Sequence, residues 1–246
     1  SVINHFQILL WIFKIVRFFY LMSHIKSFKF VYYTSMEDAK MQVAKLAYDF
    51  IKAEINENTV LGIGTGSTTN CFIEVLKQLK PIFKTAVSSS KETSSILKDA
   101  NIKVSDINEI NKIDFYIDGA DEVDKNNCLI KGGGGALTRE KIVAAKSDKF
   151  ICIVTKNKMV PALGDFGIPI EVLIHGKKLF IDEIKKLGGK ATVRESFQTD
   201  SGNLIIDVTG ISVDHPLKLE TTLNMIPGVV ENGIFASVKP YKVITN

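Results

Sequence analysis

Three glycine-bearing stretches carry the side chains with chemical potential. In Gly62-Ile-Gly-Thr-Gly-Ser-Thr-Thr69 a short apolar run gives way to glycines and then to a helical pattern from Ser67. Such a turn leaves free backbone N–H groups and the positive end of a helix facing outward together, which suits a phosphate. Thr65, Gly66, Ser67 and Thr68 supply the amides and hydroxyls. Nucleotide loops fit less well. The dinucleotide pattern GxGxxG needs glycine where Ser67 stands, and the GxxxxGK[ST] loop has no match. The plain alternative is an ordinary strand-to-helix turn capped by Ser67.

The second stretch is Asp118-Gly119-Ala120-Asp121, directly after the apolar run that ends at Ile117. Ligands of open α/β sheets bind at the carboxyl ends of strands, and acids there can move protons or hold hydroxyls. A solvated acidic turn is the competing reading, because Glu122 and Asp124 follow. That spacing does not match a calcium loop. The third stretch is Lys131-Gly132-Gly133-Gly134-Gly135-Ala136, with Glu140 opening the next helix. The glycines allow the backbone a very close approach to a ligand, and Lys131 could stabilise a developing oxyanion. For Glu140 a helix start lowers the proton affinity and burial raises it. A surface lysine and a first-turn acid that suits the helix dipole are the bland alternatives.

Other chemistries lack their residues. His175 and His215 stand far from these loops and have no partner at metal-ligand spacing, so proton chemistry needs a carboxylate as base. Cys71, Cys128 and Cys152 are scattered singly with no CxxC, which argues against a disulfide framework or zinc site and for a reducing compartment. Residues 1–35 contain Lys14, Arg17, Lys26 and Lys29 and no acid, which leaves 27 basic residues against 27 acidic ones in the remainder. A neutral body gives no electrostatic case for nucleic acid.

The elements that must position these loops follow from periodicity. From Met36 the pattern alternates: helix Glu37–Ile55, strand Thr59–Gly64, helix Ser67–Leu79, strand Thr85–Val87 and helix Lys91–Asp99. Strands Lys103–Val104 and Asp114–Ile117, helix Thr138–Ala145 and strand Phe150–Thr155 follow. This alternation predicts an α/β fold with a Rossmann-like parallel sheet. After Pro161 the order becomes β-α-β-β-α-β: Ile168–Leu173, Lys178–Leu187, Ala191–Arg194, Leu204–Val208, Pro216–Met225 and Val229–Phe235. That order predicts a smaller ferredoxin-like α+β lobe over 168–232. The Rossmann-like domain would then comprise 36–167 plus 233–246.

The segment Phe6–Met22 is apolar, but Lys14 and Arg17 interrupt it, so it falls short of a membrane span and its charges are misplaced for a signal peptide. Residues 1–35 are expected to lie outside the fold. A foreign leader, a targeting or interfacial helix and an integral element all stay open for them.

The stretches VLGIGTGST, AVSSS, IDGADEVD, IKGGGGALTREKIVA, DKFICIV and KLGGKATVRE, in this order, resemble the A-type ribose-5-phosphate isomerase family from about Met36 to the C-terminus. The resemblance implies interconversion of ribose 5-phosphate and ribulose 5-phosphate through an enediolate, in the non-oxidative pentose phosphate pathway. It implies no metal and no cofactor, a cytoplasmic setting and a homodimer or homotetramer. The family's phosphate and substrate loop falls on Thr65, Gly66, Ser67 and Thr68, and its Asp-Gly-Ala-Asp site on Asp118, Gly119, Ala120 and Asp121. Its Lys-Gly-Gly-Gly loop falls on Lys131, Gly132, Gly133 and Gly134, and its general base on Glu140. A substrate-contacting lysine matches Lys158 better than Lys156, and a phosphate-contacting lysine matches Lys40. An amino-sugar phosphate deaminase, a coenzyme A transferase or a phosphosugar sensor could share the architecture.

Overall fold

The structure, a computed structural model, describes residues 36–246. The compact unit Lys40–Asn246 holds every element named below. The apolar N-terminal extension lies outside the described residues.

In chain order the first elements are α1 (residues 36–51, of which 40–51 fall in this unit), β1 (Val60–Ile63), α2 (Ser67–Leu79), β2 (Thr85–Ser88), α3 (Lys91–Asp99) and β3 (Ile113–Asp118). Next come β4 (Glu122–Val123), β5 (Leu129–Ile130), α4 (Leu137–Ala145) and β6 (Ser147–Val154). The chain continues with β7 (Ile168–Val172), α5 (Lys177–Lys186), β8 (Lys190–Val193) and β9 (Leu204–Thr209). It closes with α6 (Pro216–Asn224), β10 (Val229–Asn232), β11 (Ile234–Phe235) and β12 (Lys242–Thr245).

Five strands form an all-parallel sheet in the order β12-β6-β3-β1-β2. Counted along the chain this is a doubly wound 2-1-3-4-5 order. Its switch point lies between β1 and β3, where a crevice opens beyond the carboxyl ends of the strands. Both faces are covered, which is why the strands read as continuous apolar runs. Leu61, Ile63, Phe115, Ile117, Ile151 and Ile153 pack with Val43, Ala47 and Ile51 of α1 and Phe72 and Leu76 of α2. The alternate residues Val60, Tyr116, Phe150 and Cys152 share the opposite core with Val143 and Ala144 of α4.

A second sheet is antiparallel, in the order β10-β7-β9-β8. This is the 4-1-3-2 order of a ferredoxin-like β-α-β-β-α-β unit. Ile170, Val172, Ile206 and Val208 pack there with Phe180 and Ile184 of α5 and Leu223 of α6. The same core takes in Cys128, Ile130, Leu163, Ile234 and Ala236 from neighbouring segments.

The elements depart from the sequence expectations in four places, one of them the edge strand β12, which no expected element covers. A third sheet, β11-β5-β4, is built from two-residue strands, which are too short to show alternation. The run Val229–Phe235, expected as one strand, breaks at Gly233. There the Gly233 N–H donates to the Pro169 carbonyl at 2.8 Å, and the Gly233 carbonyl accepts from the Lys131 N–H at 2.9 Å. A Cβ on Gly233 would fall 2.2 Å from the Lys131 carbonyl oxygen. Lys103–Val104 forms no strand and contributes a bridge of Val104 to Ala86. Among the described residues no helix is long and apolar enough to cross a membrane.

Phe180 is fully buried in the second core. Phe180→Ala is expected to lower stability by ~3–5 kcal/mol in urea unfolding. A loss below ~1 kcal/mol would contradict the burial described here.

Candidate active site

The crevice at the switch point gathers the three glycine stretches. Thr65 to Thr69, Gly119 to Asp121, Lys131 to Gly134, Glu140 and Lys158 line one cleft of about 190 Å³. Lys40 lies on α1 and is not among the lining residues. A cavity of about 800 Å³ lies elsewhere, at the start of α6, lined by residues such as His215, Lys218 and Lys239.

Local chemistry explains the first wall. Gly64 donates its N–H to the Ile117 carbonyl at 2.9 Å, and a Cβ on it would fall 1.9 Å from the Asp118 carboxyl. Only glycine lets the end of β1 touch the acid that ends β3. Gly66, at φ 133°, is the N-cap of α2, and no side chain caps that helix. Ser67 therefore does not serve as the cap, and the helix start faces the cleft. The serines of AVSSS brace the turn from behind. Thr65 Oγ1 and Ser89 Oγ are hydrogen-bonded at 2.8 Å, Thr93 Oγ1 donates to the Gly64 carbonyl at 2.9 Å, and Ser90 caps α3.

The centre of the cleft floor is a buried ion cluster. Lys131 Nζ lies 2.7 Å from Asp118 Oδ2 and 3.1 Å from Glu140 Oε2, and it donates to the Gly119 carbonyl at 2.6 Å. Asp118 is fully buried, Lys131 and Glu140 nearly so. Asp118 Oδ1 accepts the Gly119 N–H at 2.7 Å, and Oδ2 accepts the Tyr116 hydroxyl as well. Glu140 differs. Its Oε2 is buried without a hydrogen bond of proper geometry, although the Lys131 charge is near. An oxygen in this state is a poised acceptor.

One cation cannot neutralise two carboxylates, and burial makes the excess expensive. Burial first, then the Asp118 charge, push the Glu140 carboxyl up to about 8, against the pull of Lys131. For Lys131 burial acts downward, but Asp118 and Glu140 outweigh it and hold the ammonium above its ordinary range. Burial pushes the Cys152 thiol up to about 12, which makes it a poor nucleophile. Among the described residues no three His, Cys, Asp or Glu side chains gather as a metal site.

The second acid of the pair points elsewhere. Asp121 Oδ2 accepts the Gly133 N–H at 2.8 Å, tying the β3 loop to the glycine loop. The following acids are structural. Glu122 accepts the N–H groups of Gly164 and Phe166, each at 2.6 Å, and Asp124 closes a turn on Asn126 and Cys128. Sequence reasoning missed two neighbours. Tyr116 stands two residues before Asp118 on the same strand face, so period-two alternation could have found it. Arg194 donates to the Gly133 carbonyl at 2.8 Å from 61 residues away, and its stretch KLGGKATVRE carried the resemblance without a site role.

A comparison with known families matches residues 85–246 to ribose 5-phosphate isomerase A (phosphoriboisomerase A). The chain belongs to the ribose 5-phosphate isomerase A family. Solved structures agree. Ribose 5 phosphate isomerase A from Neisseria gonorrhoeae is 41% identical, with TM-score 0.82 over 85% of this chain and 92% of that one. A D-ribose-5-phosphate isomerase in complex with phospho-erythronic acid is 38% identical, with TM-score 0.80 over 86% and 96%. Ribose 5-phosphate isomerase A from Methanocaldococcus jannaschii is 36% identical, with TM-score 0.78 over 85% and 94%. In this isomerase family member the gathered loops are those singled out by their residue chemistry, and Lys40 is not among the lining residues.

The ion cluster makes stability depend on pH. The Glu140 carboxyl titrates near 8 when folded, above its ordinary value of 4.5. Its contribution to stability is therefore full below about 4.5 and is lost as pH rises through about 8. Glu140→Gln removes this loss. The variant should gain in Tm relative to the parent between pH 5 and pH 9 in thermal melts (~4 pH units), and a constant difference across that range would contradict the raised value.

Proposed function

We propose that the chain interconverts ribose 5-phosphate and ribulose 5-phosphate with Glu140 as the base. One observation carries the reading. The Glu140 oxygen that faces the Lys131 ammonium without a well-formed hydrogen bond shares a cleft with the open N-terminus of α2. A phosphate on the Thr65–Thr68 turn, assisted by Lys158, provides binding energy remote from the reacting carbons. Phospho-erythronic acid, which occupies one similar isomerase, joins a phosphate to an anionic carbon end, the same charge pattern as the intermediate of this reaction.

In the proposed sequence Glu140 takes the proton from C2 of the open-chain aldose. The C–H electrons form the C1–C2 double bond, and charge moves onto the C1 oxygen. Lys131 stabilises that oxygen. A proton passes from the C2 hydroxyl to the C1 oxygen, with Asp121 at hand to shuttle it. Glu140 then returns its proton to C1, and the ketose results. The raised proton affinity of Glu140 makes its ionised form a stronger base for a weak carbon acid. Asp118, with both oxygens already bonded, serves chiefly to hold Lys131 charged and in place.

The body 36–167 plus 233–246 is proposed to act as the catalytic domain, with 168–232 as an accessory lobe. The buried thiols of Cys128 and Cys152 support work in a reducing compartment such as the cytoplasm. A homodimer or homotetramer is proposed from the family likeness, and light scattering would measure it.

The direct test supplies ribose 5-phosphate with a chelator and follows ketose formation. Turnover should persist in EDTA, and Glu140→Gln should cut it by ~10²–10⁴. Near-parental turnover in that variant would remove Glu140 from the role of base. Ser67→Ala should raise KM severalfold with kcat largely kept, and an unchanged KM would count against the phosphate site. The acid limb of kcat/KM should rise with pH toward about 8 in the parent enzyme.

A further inference from the structure

We propose that Arg194, on the second sheet's side of the cleft, is a positioning residue that aims the Gly134 N–H at the oxygen where charge develops. The proposal rests on the isomerase reading. Its starting point is the way Gly133 is held. An anion, Asp121, accepts the Gly133 N–H at 2.8 Å, and a cation, Arg194, donates to the Gly133 carbonyl at 2.8 Å. The peptides on either side of Gly133 are thereby fixed in orientation.

The consequence falls on the next residue. In a trans peptide the carbonyl of one residue and the N–H of the next point in opposite directions. With its carbonyl turned to Arg194, the Gly133–Gly134 peptide presents the Gly134 N–H on the side away from that guanidinium. Gly134 lines the cleft, and the nearest atom a Cβ on it would meet is Thr65 Cγ2, 3.9 Å away across the opening. A cation on the carbonyl also polarises the amide and strengthens the N–H as a donor.

Arg194 is itself built to be rigid. Its Nε and Nη2 donate to the two Asp207 oxygens at 2.7 and 2.6 Å, so a two-point fork leaves Nη1 for Gly133. The Phe197 ring lies 5.9 Å from the guanidinium carbon and also fills the space beside Gly135, where a Cβ would fall 2.3 Å from it. A lysine cannot bond both Asp207 oxygens and the carbonyl with this geometry. In a chain with 28 lysines and three arginines, an arginine stands where a fork is needed.

The experiment compares parent, Arg194→Met and Arg194→Lys by kcat, KM, thermal melting and calorimetric affinity for phospho-erythronic acid and for inorganic phosphate. The expected result is a fall in kcat of about tenfold or more, with KM and phosphate affinity within about twofold. Affinity for phospho-erythronic acid should fall in step with kcat, and Arg194→Lys should restore little of either. An unchanged kcat and analogue affinity in folded Arg194→Met would overturn the proposal. So would equal losses for the analogue and for inorganic phosphate, which mark a merely structural role. Should Arg194→Met fail to fold, Asp207→Asn, which keeps the cation and loosens its fork, is expected to give the same split at smaller size, and its absence there overturns the proposal equally. If the parent forms no ketose, the isomerase reading fails by itself, and the two affinities still decide the role of Arg194.

Discussion

A single buried ammonium held between two carboxylates sets the terms for the rest of the structure. Lys131 meets Asp118 and Glu140 within ion-pair distance, and all three are shielded from water. Two acids and one base leave one negative charge too many. The structure resolves the excess unevenly. Asp118 receives a tyrosine hydroxyl and a backbone amide in addition to the lysine, while Glu140 Oε2 receives no well-formed hydrogen bond. Asymmetric support of this kind separates a fixed counter-ion from a group free to accept a proton.

The scaffold follows from the need to bring that cluster against a phosphate site. The doubly wound order places the ends of β1 and β3 side by side at the switch point. The β1 end carries the helix start, and the β3 end carries Asp118. Contact between them is possible because Gly64 has no side chain. The antiparallel sheet then closes the third side. Glu171 on β7 accepts from Thr138 on α4 and from Thr199 and Asn203 in the β8–β9 connection, while Arg139 pairs with Asp200. The helix that bears Glu140 is thus held from the second sheet as well as from the first.

Much of this was legible in the sequence where the signal was local. The bounds of α2 and α3 follow from their apolar periodicity and their flanking glycine or serine, and the structure gives Ser67–Leu79 and Lys91–Asp99 as expected. The glycine stretches marked the cleft, because a close backbone approach needs glycine wherever it occurs. What escaped was non-local. Two-residue strands have no period to read, so the third sheet was invisible. Arg194 meets Gly133 across 61 residues, and nothing in its neighbourhood marks it as part of the cleft. Lys40 was matched by resemblance alone, and it is not among the residues that line the cleft.

The break at Gly233 bears on when the protein becomes competent during synthesis. The backbone of Lys131 is stitched to the Gly233 carbonyl, and the Phe235 ring lies 5.5 Å from its ammonium. Lys141, beside Glu140 on α4, donates to the carbonyls of Asn232 and Ile234. All the acids and bases of the cleft therefore leave the ribosome well before the segment that seats them. A nascent chain carries its full set of reactive groups before its last strands arrive, and one that stops short of Gly233 lacks the carbonyl to which the Lys131 N–H is bonded.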